Sequence, residues 1–215
     1  DDTDEHRAAN LAAGDKYLRM IVAAAAPQEV VAEDLGIVPE YVRPHLLSLD
    51  VPGFKISQWE TDARGNVILG RDYDNCSFTT CATHDHEPMK THWEHRRHAA
   101  NTPDAPDRWL GNKELRLLAI FAGLPVQEDH WPAYDDTIRR TLIEALLASN
   151  ARYAAFMLTD LFALEERFNV PGIESGKNWS ARMPMTIREM RARSPWQGEC
   201  MWLAEAIRRT GRSGS

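Results

Sequence analysis

The sequence has little cysteine, no long apolar run and no cluster of positive charge. Its three cysteines form no Cys-x-x-Cys pair, which argues against a disulfide scaffold and against a thiolate zinc site. No run approaches the roughly 20 apolar residues that cross a bilayer. The formal net charge is -7 and no basic block is present. We therefore expect neither a nucleic-acid partner nor a membrane.

Motifs for nucleotide binding and for secretion are also missing. No G-x-G-x-x-G or G-x-x-x-x-G-K-[ST] occurs, so nucleotide binding has no support in the sequence. No basic, apolar and small-residue pattern of a signal peptide follows Asp1, and we expect a cytoplasmic location. Hydrophobic residues make up 43% of the 215, enough to bury a core, and the length suits one domain.

The apolar pattern alternates between short β-branched runs and helical spacing. Four strands are predicted, at Gln28–Asp34, Phe54–Trp59, Cys76–Ala82 and Ala155–Leu161. Helices are predicted at His6–Ala26, Pro39–Leu49, Pro88–Ala99, Asn112–Ala122, Asp135–Asn150 and Ser194–Arg208, and loops at Thr61–Asp74, Asn101–Arg108 and Asn169–Asn178. Asn112 and Asp135 are predicted N-caps. Such alternation indicates an α/β fold with a parallel sheet, either half of a (β/α)₈ barrel or a small open doubly wound sheet.

Acidic residues follow two of the predicted strands. Glu33 and Asp34 come after Val-Val-Ala, and Asp85 comes after Cys-Ala-Thr-His. The carboxyl ends of parallel strands form the face where reacting groups collect. Two carboxylates there suit general acid/base catalysis or stabilisation of a cationic transition state. The alternative is that these acids cap the next helix or bond to a loop.

Histidines are concentrated between Thr83 and His98. His84 and His86 form a His-x-His pair after a strand, which with a carboxylate is one way to hold Zn²⁺. This pattern leaves a metal-dependent hydrolase as an alternative function. The other interpretation is a solvated helix face that carries His92, His95 and His98.

Several short motifs stand in a defined order between Gln28 and Met183. They are EVVAEDLG at Glu29–Gly36, VPGFKISQ at Val51–Gln58, THD at Thr83–Asp85 with Trp93, LTDLFAL at Leu158–Leu164, NVPG at Asn169–Gly172, and NW at Asn178–Trp179 with Arg182. This ordered set resembles the 4-α-glucanotransferases, the amylomaltases or disproportionating enzymes of glycoside hydrolase family 77.

The resemblance implies a (β/α)₈ TIM barrel of the α-amylase type, of which this chain would hold strands 5 to 8. Residues 1–215 would then be one C-terminal half-barrel segment, with a helical insertion at about 100–150 between strands 7 and 8. The implied reaction is retaining: an α-1,4-glucan segment is cleaved and passed to the 4-hydroxyl of another glucan. The implied substrates are maltooligosaccharides, with no cofactor and no metal.

The resemblance also implies roles for individual residues. Glu33 would be the general acid/base, and Asp85 would hold the sugar ring and stabilise the transition state. His84, Asn169 and Asp62 would be further sugar contacts. A retaining enzyme needs an acid and a nucleophile about 5–5.5 Å apart. We expect Glu33 to be less solvated than Asp85, so that it can donate a proton near neutral pH.

The chain departs from the family pattern at several points. The R-x-D-H motif that carries the family's nucleophile is absent, and so are strands 1 to 4. His86-Glu87-Pro88, Thr159 and Ile173 replace the usual Asn-Asp-Thr, Gln and Thr.

The missing strands define the expected partner. We expect the chain alone to require the missing N-terminal half or to self-associate, because a half barrel exposes two sheet edges. A noncatalytic α-glucan-binding half barrel is a further alternative.

Overall fold

The computed structural model describes residues 3–127 and 130–212 and is built around a short parallel sheet. Its strands are β1, Gly53–Ile56; β2, Ser77–Thr80; and β3, Tyr153–Ala154, in the spatial order β1-β2-β3. Gly53 aligns with Ser77, and Phe78 aligns with Tyr153. The sheet with its helices confirms the predicted α/β class. Residues 1–2 and 213–215 of the predicted half-barrel segment lie outside the described residues.

The first predicted strand, Gln28–Asp34, is reduced to one parallel bridge between Ala32 and Gly53. Ala32 N–H donates to the carbonyl of Pro52 at 2.9 Å. Beyond this pair, Asp34 Oδ1 accepts from Phe54 N–H at 2.6 Å, where a strand would offer a backbone carbonyl. The buried Asp34 carboxylate therefore ends the backbone hydrogen bonding with β1 after a single residue pair. Hydrophobic periodicity does not reveal such an ending.

The fourth predicted strand, Ala155–Leu161, is wrong in position. Strand β3 lies just before it, and Leu158–Leu161 forms a helical turn, α6. Ala155 N–H still donates to the Thr79 carbonyl at 2.9 Å, but the ladder stops there. A short apolar run is compatible with a buried strand and with a buried helical turn, so its periodicity alone does not separate them.

Most predicted helices are confirmed with small shifts of their ends. They are α1, Asp4–Ala25; α2, Val42–Ser48; α3, Met89–Ala100; α4, Ala105–Ala122; α5, Asp136–Leu147; and α8, Trp196–Arg209. Asp135 is the N-cap of α5, as predicted, and accepts from Ile138 N–H at 2.8 Å. The alternation fails once, because β1 and β2 are joined by a loop with only a short 3₁₀ turn at Gly70–Asp72.

The N-cap prediction for Asn112 is wrong. Helix α4 begins at Ala105, inside the predicted loop, and Asp104 caps it. Pro106 is accommodated in the first helical turn, where its missing N–H has no intrahelical partner to lose. A further helix, α7 at Ile187–Ala192, was not predicted, although Thr186 and Glu189 have the spacing of a capping box and form one.

The helices cover one face of the sheet. Helices α3, α4 and α5 enclose the larger apolar core, whose most buried members are Cys81, Met89, Trp93, Leu115, Leu118, Ala119, Trp131, Leu142 and Leu146. A second core lies between α5, α6 and α8, and Ala154 of β3 packs against it. None of the helices within residues 3–127 and 130–212 combines the length and the apolarity that a membrane span needs.

The opposite face carries an aromatic row that is only half-buried. Phe54 and Phe78 stack at a centroid distance of 4.7 Å, and Tyr153 follows at 6.3 Å from Phe78. Side chains alternate along a strand, so this row points away from the helices that cover Ala154.

The solvent-accessible surface is 13044 Å², whereas a compact protein of 24.4 kDa has about 10,000 Å².

A buried ion pair joins helices α5 and α8. The side chain of Arg139 is 2% exposed, and its guanidinium lies 2.7 Å from Glu199 Oε2. Arg140 Nη2 donates to the other oxygen of Glu199 at 2.8 Å. Asp136 Oδ1 lies 2.9 Å from the same guanidinium, so two carboxylates neutralise this buried cation.

We predict that Glu199→Ala lowers the free energy of unfolding by about 2 kcal/mol, because it removes one of the two carboxylates that pair with the buried Arg139 and leaves only Asp136. Urea unfolding followed by circular dichroism measures this loss. The matched control is Glu205→Ala on the same helix, which breaks only an exposed pair with Arg208 and should cost under about 1 kcal/mol. Equal losses for the two variants would contradict the prediction.

Asp160 of α6 is a buried carboxyl that caps the start of α3. Its Oδ1 accepts from Met89 N–H at 2.8 Å, while Oδ2 has no partner among the described residues. Burial raises the pKa of Asp160 to about 6. Because the folded state holds this proton more tightly than the unfolded chain does, the carboxyl makes stability fall as pH rises from about 4 to about 6.

We predict that Asp160→Asn, which keeps the oxygen that caps α3, removes this pH-dependent loss. The stability of the variant relative to the unchanged chain should rise by roughly 2 kcal/mol between pH 4 and pH 7. Unfolding curves at both pH values measure this difference. Asp72→Asn, at an exposed site, is the control and should leave the difference near zero. If the relative stability of Asp160→Asn also stays unchanged between the two pH values, burial of the carboxyl has no energetic consequence.

Candidate active site

The chain leaves β2 in a tight turn that presents His84 and Asp85 at its tip. His86 N–H donates to the Thr83 carbonyl at 3.0 Å and closes the turn. Thr83 Oγ1 accepts from Asp85 N–H at 3.3 Å. The turn lies beyond the carboxyl end of the sheet, where the sequence analysis placed it.

The Asp85 carboxylate is held through one of its two oxygens. Asn169 Nδ2 donates to Asp85 Oδ1 at 2.6 Å, and His84 Nε2 lies 3.3 Å from the same oxygen. Oδ2 has no protein partner among the described residues, and the Asp85 side chain is 36% exposed. Three of the predicted site residues are thus brought together, although 84 positions separate Asp85 from Asn169.

Arg167 links the two segments and was missed by the sequence analysis. Its Nη2 donates to the carbonyl of Asp85 at 2.6 Å, and its Nε donates to the carbonyl of Asn169 at 2.9 Å. In the sequence it is one arginine among many, in the run Glu-Glu-Arg-Phe-Asn. Only the approach of the segment after β3 to the turn after β2 reveals its role.

Trp179 adds an aromatic surface beside His84. The two rings are 5.1 Å apart, and Trp179 is 61% exposed. The backbone N–H of Trp179 donates to the carbonyl of Phe168 at 2.7 Å. The Asn178 side chain accepts from the N–H of Val170 and donates to the carbonyl of the same residue. The loop that carries Asn169 is therefore closed by its own side chains and places an exposed aromatic face near Asp85.

His86 lies on the other side of the turn, against Trp59. Its Nδ1 accepts from Thr83 N–H at 3.3 Å, and its ring is 5.0 Å from Trp59. Burial lowers the pKa of His86, which favours the neutral form of the ring. Both rings line a cavity of about 270 Å³ that also includes Arg167 and Gln58.

Glu33 is exposed in this structure. It directly follows the Ala32 bridge and has no hydrogen bond or ion pair within residues 3–127 and 130–212. The expected order of solvation is therefore wrong for this chain, because Asp85 is the more buried of the two. Ala32, β1 and β2 run parallel, so the chain after each heads for the same edge of the sheet. That Glu33 and Asp85 face one substrate stays a prediction.

Asp62 organises its own loop. Its Oδ1 accepts from the N–H groups of Arg64 and Asn66, each at 2.8 Å, and its Oδ2 accepts from Asn66 Nδ2 at 2.9 Å. These bonds, the Asn66 side chain first, hold the pKa of Asp62 below its usual range. The structure accounts for this carboxylate through the turn it closes, and its contact with a sugar stays a prediction.

Two of the histidines on helix α3, His92 and His95, lie beside carboxylates, and His92 is buried, unlike the solvated face predicted for it. His95 Nδ1 lies 2.8 Å from Glu87, and His92 lies between Glu87 and Glu114 at 3.4 and 3.5 Å. In the part of the chain that the structure describes, no group of three or more His, Cys, Asp or Glu has the arrangement of a metal site. The metal-hydrolase alternative thus gains no support from the described residues.

Comparison with known proteins gives a family match over most of the chain. The family model for 4-alpha-glucanotransferase, of glycoside hydrolase family 77, matches residues 1–186. A 4-alpha-glucanotransferase of Chlamydia pneumoniae is 29% identical over 183 residues, which is 78% of this chain and 31% of that protein. The chloroplastic/amyloplastic 4-alpha-glucanotransferase of Solanum tuberosum is 26% identical over 72% of this chain and 23% of its own length.

A solved structure with the same fold is the amylomaltase of Streptococcus agalactiae in complex with acarbose. It superposes with a TM-score of 0.61 at 19% sequence identity, over 90% of this chain and 34% of that chain. The chain therefore spans about a third or less of the length of the relatives it matches.

Proposed function

Since the chain belongs to the 4-alpha-glucanotransferase family, we propose that it supplies the acid/base half of a retaining enzyme that transfers α-1,4-glucan segments. The hydrogen bond between Asn169 and Asp85 carries this proposal. It joins two of the family motifs at the carboxyl end of the sheet, together with His84. The site around Asp85 combines a partly exposed carboxylate, an imidazole, an amide and the exposed face of Trp179. Groups of these kinds bind sugar hydroxyls and sugar ring faces.

In the proposed reaction, Glu33 protonates the glycosidic oxygen of the leaving glucan and later removes a proton from the 4-hydroxyl of the acceptor. Its exposed side chain is free to reach either oxygen. Asp85 presents Oδ2 to the sugar and stabilises the positive charge that develops on the ring. The nucleophile that forms the covalent intermediate comes from residues outside this chain, because the chain holds no R-x-D-H motif.

We further propose that the sheet is one half of a (β/α)₈ barrel. Its strands are parallel and lie in chain order, and the two apolar cores are built by helices that pack against Ala154 and Cys81. The row Phe54–Phe78–Tyr153 would then face the barrel interior, where strands 1 to 4 would complete the core. The chain exposes about 3,000 Å² more surface than a compact protein of its mass would, and this excess is on the scale of a large obligate interface.

We predict that Glu33→Gln, in the natural protein that contains this chain, lowers kcat for maltotriose disproportionation by roughly 100- to 10,000-fold, because proton transfer to the leaving oxygen is lost. Release of glucose together with longer maltodextrins measures the reaction. The control is Glu40→Gln, on the same segment, whose carboxylate pairs only with Arg7 at the surface. Near-normal transfer by Glu33→Gln would refute the role of Glu33, and glucan binding without turnover in the unchanged protein would favour the noncatalytic alternative.

We predict that the chain on its own does not behave as a compact monomer, since the aromatic row and the sheet edges remain uncovered. Size-exclusion chromatography with light scattering should show self-association or an expanded species. Phe78→Lys should reduce any self-association, while Lys16→Glu on exposed α1 should not change it. A compact monomer of 24.4 kDa would overturn the half-barrel proposal.

A further inference from the structure

Arg167 links two loop segments that lie far apart in the sequence. One is the turn 83–86 after β2, and the other is the loop 169–179 that follows β3 and α6. Its two bonds, to the carbonyls of Asp85 and Asn169, are 2.6 and 2.9 Å long. Both are charge-assisted and come from a planar group whose donors have a fixed mutual angle, so the arginine fixes the relative position of the two carbonyls.

The Asn169 side chain depends on that relative position. Its Nδ2 reaches Asp85 Oδ1 at 2.6 Å, between the same two residues whose carbonyls Arg167 holds. Main chain and side chain thus form one closed set of three hydrogen bonds. The set occupies Oδ1 of Asp85 and leaves Oδ2 as the oxygen without a protein partner in the described residues.

The remaining described links between the turn and the loop are weaker constraints. His84 and Trp179 approach each other by their rings alone, at 5.1 Å, and both side chains are largely exposed. A ring contact of this kind leaves rotation and sliding of the loop open. The Asp85 carboxylate is held at Oδ1 by Asn169 at 2.6 Å and by its neighbour His84 at the longer distance of 3.3 Å, and the position of Asn169 rests on Arg167.

We propose that Arg167 is a positioning residue for Asp85: it holds Asn169 in place so that the carboxylate presents Oδ2 to the substrate. This inference rests on the proposed glucanotransferase function. Arg167 itself is not a catalytic residue, because two of its donors are engaged by backbone carbonyls at the site. Its effect on the reaction passes entirely through the orientation of Asp85, and this dependence makes it testable.

The test is a double-mutant cycle in the natural protein that contains this chain, with maltotriose as substrate. Arg167→Met should lower kcat roughly 10- to 100-fold, the scale of a misplacement of about 1 Å at a reacting group. KM should change less than about threefold, and Arg167→Lys, which retains one charged donor, should recover part of kcat. In an Asp85→Asn background, Arg167→Met should cause no further loss, because the group it positions has already been disabled.

The control is Arg193→Met, whose exposed guanidinium pairs with Glu189 in the part of the chain that the structure describes; it should leave kcat unchanged in both backgrounds. Thermal unfolding of each variant distinguishes a change of orientation from a loss of folded protein. Suppose that the unchanged protein transfers glucan. If Arg167→Met is then fully active, or lowers kcat by the same factor in both backgrounds, the positioning role is refuted while the proposed function stands. If the unchanged protein transfers no glucan, the proposed function falls and this inference falls with it.

Discussion

The arrangement of the candidate site depends on the contact between the turn after β2 and the loop after β3. Asn169 and Arg167 each donate one hydrogen bond to Asp85 there, and Arg167 donates another to the carbonyl of Asn169. Backbone carbonyls do not titrate and do not change with side-chain identity. Such a contact therefore fixes the carboxylate geometrically and leaves one of its oxygens available to a ligand.

The sheet and its helical layer make this contact possible. Strands β2 and β3 are adjacent and parallel, so the segments that follow them emerge side by side. Behind the turn, Asp160 of α6 caps helix α3 and fixes where the chain continues after Pro88. The buried pair of Arg139 and Glu199 attaches α8 to the same layer. Ala154 packs against the second of the apolar cores, whereas the aromatic row on the other side of the strands is only half-buried.

Local chemistry explains which elements were predictable. The cap at Asp135 and the helical spacing of α1, α3 and α5 depend on near neighbours, so the sequence indicated them correctly. The errors arose where a distant group decided the outcome. Asp34 bonds to Phe54 N–H and ends a strand, and the segment after Ala155 turns into α6 against the start of α3. Both decisions depend on contacts between residues at least 20 positions apart.

The candidate site divides in the same way. The sequence by itself determined the family, the residue types and their order, because motifs such as Ala-Glu-Asp-Leu-Gly and Thr-His-Asp are read directly from neighbouring letters. Only the tertiary structure decided that Asn169 bonds to Asp85, that Arg167 joins them, and that Glu33 is exposed. The reason is physical: a hydrogen bond across 84 positions is set by how the strands pair and how the helices pack, and neither is encoded in any local pattern.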